Sequence, residues 1–90
     1  KVYGPLHIEL TRTLTYIGAL LDIQGKIRKA TLYYEETLEI FQQHHQKDHP
    51  DIAEVLCYLG NAYLNCGETC KALKAHERGL RIFRETGNSE

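Results

Sequence analysis

The chain has 90 residues, of which 42% are hydrophobic and 26% charged, with a formal net charge of −1. That is enough apolar material for a core and too much for a disordered chain, within a length that makes at most one small domain. The near-neutral balance argues against a dedicated nucleic-acid binder, no apolar run approaches the roughly 18 residues of a membrane span, and no secretory signal pattern opens the chain. The sequence begins at Lys1 without an initiator methionine and is read as a piece of a longer protein. Three cysteines are an odd, low count for a disulfide framework, which points to a reducing compartment, the cytoplasm.

In chain order, residues 1–6 read as the tail of a preceding repeat. Leu10, Leu14, Ile17 and Leu21 then follow the spacing of one apolar helix face and predict a helix over about residues 8–23. Gln24-Gly25 ends it, because glycine readily takes the left-handed conformation needed just past a helix C-terminus. A second helix, over about 26–45, carries Ile27, Ala30, Tyr34, Leu38 and Phe41 at similar spacing. Pro50 suits the first turn of a third helix, with Asp48 or His49 as candidate cap. That helix, over about 50–65, presents Ile52, Leu56, Leu59 and Tyr63. A turn at Cys66-Gly67 leads into a fourth, over about 68–85, with Ala72, Leu80 and Phe83.

These four elements are two copies of one unit. Sliding the sequence by 42 residues aligns residues 7–48 with 49–90 without a gap, and 11 positions match identically. They include Leu14/Leu56, Tyr16/Tyr58, Gly18/Gly60, Gly25/Gly67, Ala30/Ala72, Leu38/Leu80 and Phe41/Phe83. Gly18 and Gly60 fall mid-helix, where glycine costs about 1 kcal/mol relative to alanine. Their recurrence implies a close approach of the partner helix, with Ala30 and Ala72 expected opposite. A single helical hairpin cannot bury its apolar face alone, and about three stacked repeats are the working minimum. Two complete repeats are therefore expected to belong to a longer array, or to expose apolar surface that a neighbour covers.

Leu56, Leu59, Gly60, Tyr63, Gly67 and Ala72 stand at the offsets of the tetratricopeptide-repeat pattern, which the chain resembles. Leu14, Ile17, Gly18, Leu21, Gly25, Ala30 and Tyr34 match in the first unit, with Leu21 where tyrosine is commoner. His76 stands where the second helix usually carries an aromatic. The ordinary period of such repeats is 34 residues; the 42-residue spacing, with Asp48-His49-Pro50-Asp51 opening the second unit, resembles the longer kinesin-light-chain type. The resemblance implies an all-α helical-hairpin solenoid, a right-handed superhelix of two full repeats within a longer array. It also implies that the first helices line a concave groove for a peptide or partner protein. Carried over by offset, the groove positions are Arg12, Thr15, Tyr16, Ala19, Asp22 and Ile23, then Glu54, Cys57, Tyr58, Asn61, Leu64 and Asn65. Tyr16 and Tyr58 are expected to stack as neighbours on one wall or to pack between helices as core; each offers an apolar ring and a hydroxyl. Asn61 and Asn65, one turn apart, are placed to hydrogen-bond a peptide backbone or to lie solvated. Thr15, Cys57, Tyr16 and Tyr58 replace the Lys, Asn and Arg of the chaperone-binding carboxylate clamp. They also replace the adjacent asparagines of kinesin light chains, so neither of those roles carries over.

Other chemistry is weaker. Cys66 and Cys70 are four apart and His44, His45 and His49 cluster, yet no spacing supplies the roughly four convergent ligands of a zinc site, and no metal or cofactor is expected. Lys71, Lys74, Arg78 and Arg81 form one stripe of the last helix, read as a solvated outer face. No phosphate-binding glycine loop or nucleophile motif is present, so no enzyme is expected. The reading is an interaction module without membrane or nucleic-acid partners. The competing readings are structural spacer repeats, self-association through exposed solenoid ends, or sensor repeats of a signalling ATPase.

Overall fold

The computed structural model describes residues 7–44 and 49–87. The stub at residues 1–6, His45 and the candidate cap Asp48 lie outside the described residues. Four helices account for the fold: α1 His7–Ile23, α2 Ile27–His44, α3 Pro50–Asn65 and α4 Thr69–Gly87. There is no strand among the described residues, and each helix packs mainly on its neighbour in the chain, α1 on α2, α2 on α3 and α3 on α4. This is the sequential stacking of an all-α helical-repeat solenoid.

The hairpin turns are built alike. Gly25 and Gly67 have φ of 86° and 88°, the left-handed region that costs an L side chain about 1–2 kcal/mol. In both turns the chain reverses through the same pair of backbone bonds. Lys26 N–H donates to Leu21 C=O and Gly25 N–H to Asp22 C=O; Glu68 N–H donates to Tyr63 C=O and Gly67 N–H to Leu64 C=O. These bonds satisfy carbonyls that a helix end would otherwise leave open. At the start of α3, His49 adopts an extended conformation and its Nδ1 accepts from Asp51 N–H at 3.0 Å, so the cap is the imidazole, with Pro50 next to it in the first turn.

Two apolar clusters join the hairpins. One gathers Ala30 and Tyr34 of α2 with Leu59 and Ala62 of α3, flanked by Leu21, Ile27, Leu38 and Tyr63. The other gathers Ile52, Ala53 and Leu56 of α3 with Ala75 and Ile82 of α4, and Leu38 and Phe41 of α2 pack against it. Leu38 belongs to both, so α2 is the element through which the hairpins are held together. Thr37, fully buried, satisfies its hydroxyl by donating to Tyr33 C=O at 3.0 Å, which lets a polar side chain sit within the helix at little cost.

The repeated mid-helix glycines do make room for the partner helix, but not for the alanines. A Cβ on Gly18 would stand 2.7 Å from Cε1 of Tyr34, and one on Gly60 would stand 2.5 Å from Nε2 of His76. Tyr34 and His76 are themselves 42 residues apart. Each repeat thus seats a flat ring of its second helix on the glycine of its first. His76 takes over the place of the aromatic because an imidazole is also planar and fits the same gap.

Candidate partner-binding groove

α1 and α3 are the first helices of the two hairpins, and their facing sides leave a cavity of about 400 Å³. Thr11, Arg12, Thr15, Tyr16 and Ala19 line it from α1, and Asp51, Glu54, Val55 and Tyr58 from α3. Phe41, near the end of α2, completes the lining. The α1 residues recur at three- and four-residue intervals, which is why they share one side of the helix. The structure therefore brings Arg12, Thr15, Tyr16, Ala19, Glu54 and Tyr58 together around one hollow.

The two tyrosines are held differently. Tyr16 is 68% exposed, while Tyr58 is 38% exposed and its ring stacks nearly parallel on Tyr34, with centroids 5.6 Å apart. The stacking partner of Tyr58 is thus the α2 ring seated on Gly18, rather than Tyr16. This stack ties the wall of the groove to the core and fixes the orientation of Tyr58. Burial, then the nearby Asp22 carboxylate, then Tyr58 push the Tyr34 hydroxyl above its ordinary pKa, so it stays a neutral donor.

Charge around the hollow is mixed. Arg12 approaches Glu9 at 3.7 Å, and the Asp51 carboxylate lies 3.7 Å from the Nδ1 of His49. The Arg12–Glu9 pair is well exposed, so it orients side chains more than it stabilises the fold, while the His49 Nδ1 is already engaged as the acceptor of Asp51 N–H. Glu54 adds a second exposed carboxylate on the α3 wall.

The remaining expected groove residues lie elsewhere. Ile23 is at the exposed end of α1, Asp22 is half-buried beside it, and Asn61 and Leu64 are exposed on α3 without lining the hollow. Asn65 borders a different depression, with Gly25 to Lys29 and Cys66 at the turn end of the hairpins. Cys57 is half-buried toward α4, where a Cβ on Gly79 would meet its Sγ at 3.7 Å. Burial, and then Glu54, push its thiol above the usual range, which keeps it protonated and unreactive at neutral pH. Of the lining residues missed by offset, Phe41 and Val55 carry the sequence signal of core, Asp51 that of a helix first turn, and Thr11 is a buried polar residue within α1 with no local signal of its own.

On the outer side, Tyr63 of α3 donates to Glu35 Oε2 of α2 at 2.6 Å and carries the Lys71 ammonium 5.6 Å above its ring. Burial, followed by the Glu35 hydrogen bond, raises its pKa well above the ordinary tyrosine value. Cys57, Cys66 and Cys70 are free thiols, and among the described residues no group of three or more His, Cys, Asp or Glu is placed to hold a metal ion. No helix of the described residues is long and apolar enough to cross a membrane.

Residues 10–51 match the family model described as tetratricopeptide repeat. The matched span contains α2, most of α1 and the first two residues of α3, and at 42 residues (51 − 10 + 1) it equals the internal period of the sequence. The match supports a tetratricopeptide-type repeat in this chain. No curated protein matches it.

Proposed function

We propose that the chain is a protein-interaction module that holds a peptide or partner protein in the groove between α1 and α3. Tetratricopeptide repeats generally mediate protein–protein interaction. The observation that carries the reading here is the hollow of about 400 Å³ with Tyr16 and Tyr58 presented at its wall. A largely exposed tyrosine beside a cavity offers contact area and a hydroxyl at low entropic cost, the combination found at binding hot spots. Ala19, Val55 and Phe41 supply an apolar floor, while Thr15, Arg12 and Glu54 supply donors and acceptors for a peptide backbone and its side chains. The residues we assign to recognition are Tyr16, Tyr58, Thr15, Arg12, Ala19 and Glu54. Asn61 and Asn65 would extend the same face along α3 for a longer ligand.

The 42-residue spacing and the His49-Pro50-Asp51 opening of α3 favour the kinesin-light-chain type of repeat. The three free thiols fit a reducing, cytoplasmic setting.

Tyr16→Ala tests the reading without disturbing the core, because that ring is mostly exposed. Peptides selected from a random library against the wild-type chain are expected to lose affinity at least about tenfold on Tyr16→Ala, one hot-spot contact of about 1.4 kcal/mol or more. The melting temperature should stay unchanged. Affinities indifferent to Tyr16→Ala and to Arg12→Ala would place recognition away from this groove.

A further inference from the structure

The net charge of −1 hides a division of charge between the helices. α1 and α3, which face the hollow, carry Glu9, Asp22, Asp51 and Glu54 against one arginine, Arg12. α4 is the opposite, with Lys71, Lys74, Arg78, Arg81 and Arg84 against Glu77 and Glu85. A cleft whose walls carry an excess of one charge concentrates ligands of the other sign. Within the hollow, Arg12 stands on the α1 wall with Glu9 3.7 Å away, while Asp51 and an exposed Glu54 line the α3 wall.

Aromatic rings accompany these carboxylates. Tyr16 is mostly exposed at the hollow, and Tyr58, although stacked on Tyr34, keeps part of its surface open. The face of a tyrosine ring is negative and attracts a cation held within about 6 Å of its centre. The outer side of the molecule shows this chemistry completed by the chain itself. There the Lys71 ammonium lies 5.6 Å from the centre of the Tyr63 ring, whose hydroxyl donates to Glu35. The hollow repeats the rings and the carboxylates of that arrangement, and no lysine is among the described residues that line it.

We propose that the groove selects peptides through a lysine or arginine side chain, its cation lying against Tyr16 and Tyr58 with Glu54, backed by Asp51, as counter-charge. This rests on the groove reading above and adds the chemistry of the occupant. The stem of such a side chain is apolar and packs on Ala19, Val55 and Phe41, so the residue matches the hollow along its length. An acidic side chain in that place meets the α3 carboxylates and is repelled. A neutral one covers Glu54 without compensating its charge.

Peptides selected from a random library against the wild-type chain test this. They are expected to share a lysine or arginine. Replacing it by norleucine or citrulline, which keep its length without its charge, should weaken binding roughly fivefold or more. Those peptides act on the unaltered chain, so this arm is independent of how any variant folds. Glu54→Gln should weaken the basic peptide by a similar factor and leave its neutral form little changed, because both changes remove the same contact. Glu77→Gln makes the same change in net charge at an exposed position on α4 and should have no effect. Raising salt from about 50 to about 500 mM should weaken the basic peptide more than the neutral one. A selected set without basic residues overturns the proposal, as does a basic peptide indifferent to loss of its charge or to Glu54→Gln. So does an equal loss on Glu77→Gln. If Tyr16→Ala still weakens binding in those cases, the groove reading stands without this specificity; binding indifferent to Tyr16→Ala removes both.

Discussion

α1 and α3 hold the same place in their hairpins and share the same pattern, yet they live in different surroundings. α3 is clasped between α2 and α4, and Ile52, Ala53, Val55, Leu56, Leu59 and Ala62 are all buried. Among the described residues α1 packs mainly on α2, and Leu10, Leu20 and Ile23 are exposed. What separates them is not residue type, since Leu10 is as apolar as Ile52. Burial is conferred by the neighbour, so in a stacked repeat the energetic weight of a position depends on its place in the stack.

The largest expected effect breaks this comparison most openly. Ile52→Ala empties a fully buried site and should cost about 2–5 kcal/mol, while Leu10→Ala at the equivalent position should cost about 1 kcal/mol or less. Thermal melts of dilute protein resolve the two, because 1 kcal/mol moves the midpoint by about 4–8 °C in a domain of this size. Equal losses would mean that α1 is as enclosed as α3.

The glycine seats give the next contrast. Gly18→Ala drives a methyl into Tyr34, which is buried and pinned by its stack with Tyr58, and should cost about 1–3 kcal/mol. Gly60→Ala meets His76, a ring only half-buried where Tyr34 is buried, and alanine also regains about 1 kcal/mol of helix propensity. Its net effect should be clearly smaller in a denaturant titration. Gly18→Ala in a Tyr34→Ala background should lose most of its cost, since the clash is with that ring.

Alkaline titration probes how α3 packs against its neighbours. The hydroxyls of Tyr63 and Tyr34 and the thiol of Cys57 all titrate above their ordinary values in the folded chain. The unfolded chain therefore loses these protons first, at about pH 8.5–10, and the folded state binds more protons than the unfolded one from there upward. Stability from these groups should be level below about pH 8.5 and fall as pH rises beyond it. Tyr63→Phe should reduce the alkaline fall and cost about 0.5–1.5 kcal/mol at neutral pH by removing the bond to Glu35. An unchanged alkaline slope in that variant would put the sensitivity elsewhere.

The fold was largely legible from the residues because its signals are local and repeated. Apolar spacing, a glycine past each first helix and Pro50 after a capping residue are properties of neighbouring positions, and the 42-residue period doubles each of them. What opposes Gly18 and Gly60 was not legible, since the register between two helices depends on how side chains interdigitate. Ala30 and Ala72 were the expected partners, and the rings of Tyr34 and His76 are the actual ones. The groove shows the same limit. Offset selects residues on one side of α1 and α3, but Phe41 enters it from α2 and Cys57 turns toward α4. The first depends on the angle between hairpins and the second on how α3 is rotated against α4 within its own hairpin, and no local pattern encodes either.

The comparison of α1 with α3 meets the proposed function where the two helices face each other across the hollow. A library-selected peptide added to isotope-labelled protein, followed by amide chemical shifts, tests that surface most directly. The account predicts perturbations concentrated at Thr15, Tyr16, Ala19, Glu54 and Tyr58. Shifts confined to the outer faces of α2 and α4, with those five amides unmoved, would contradict it.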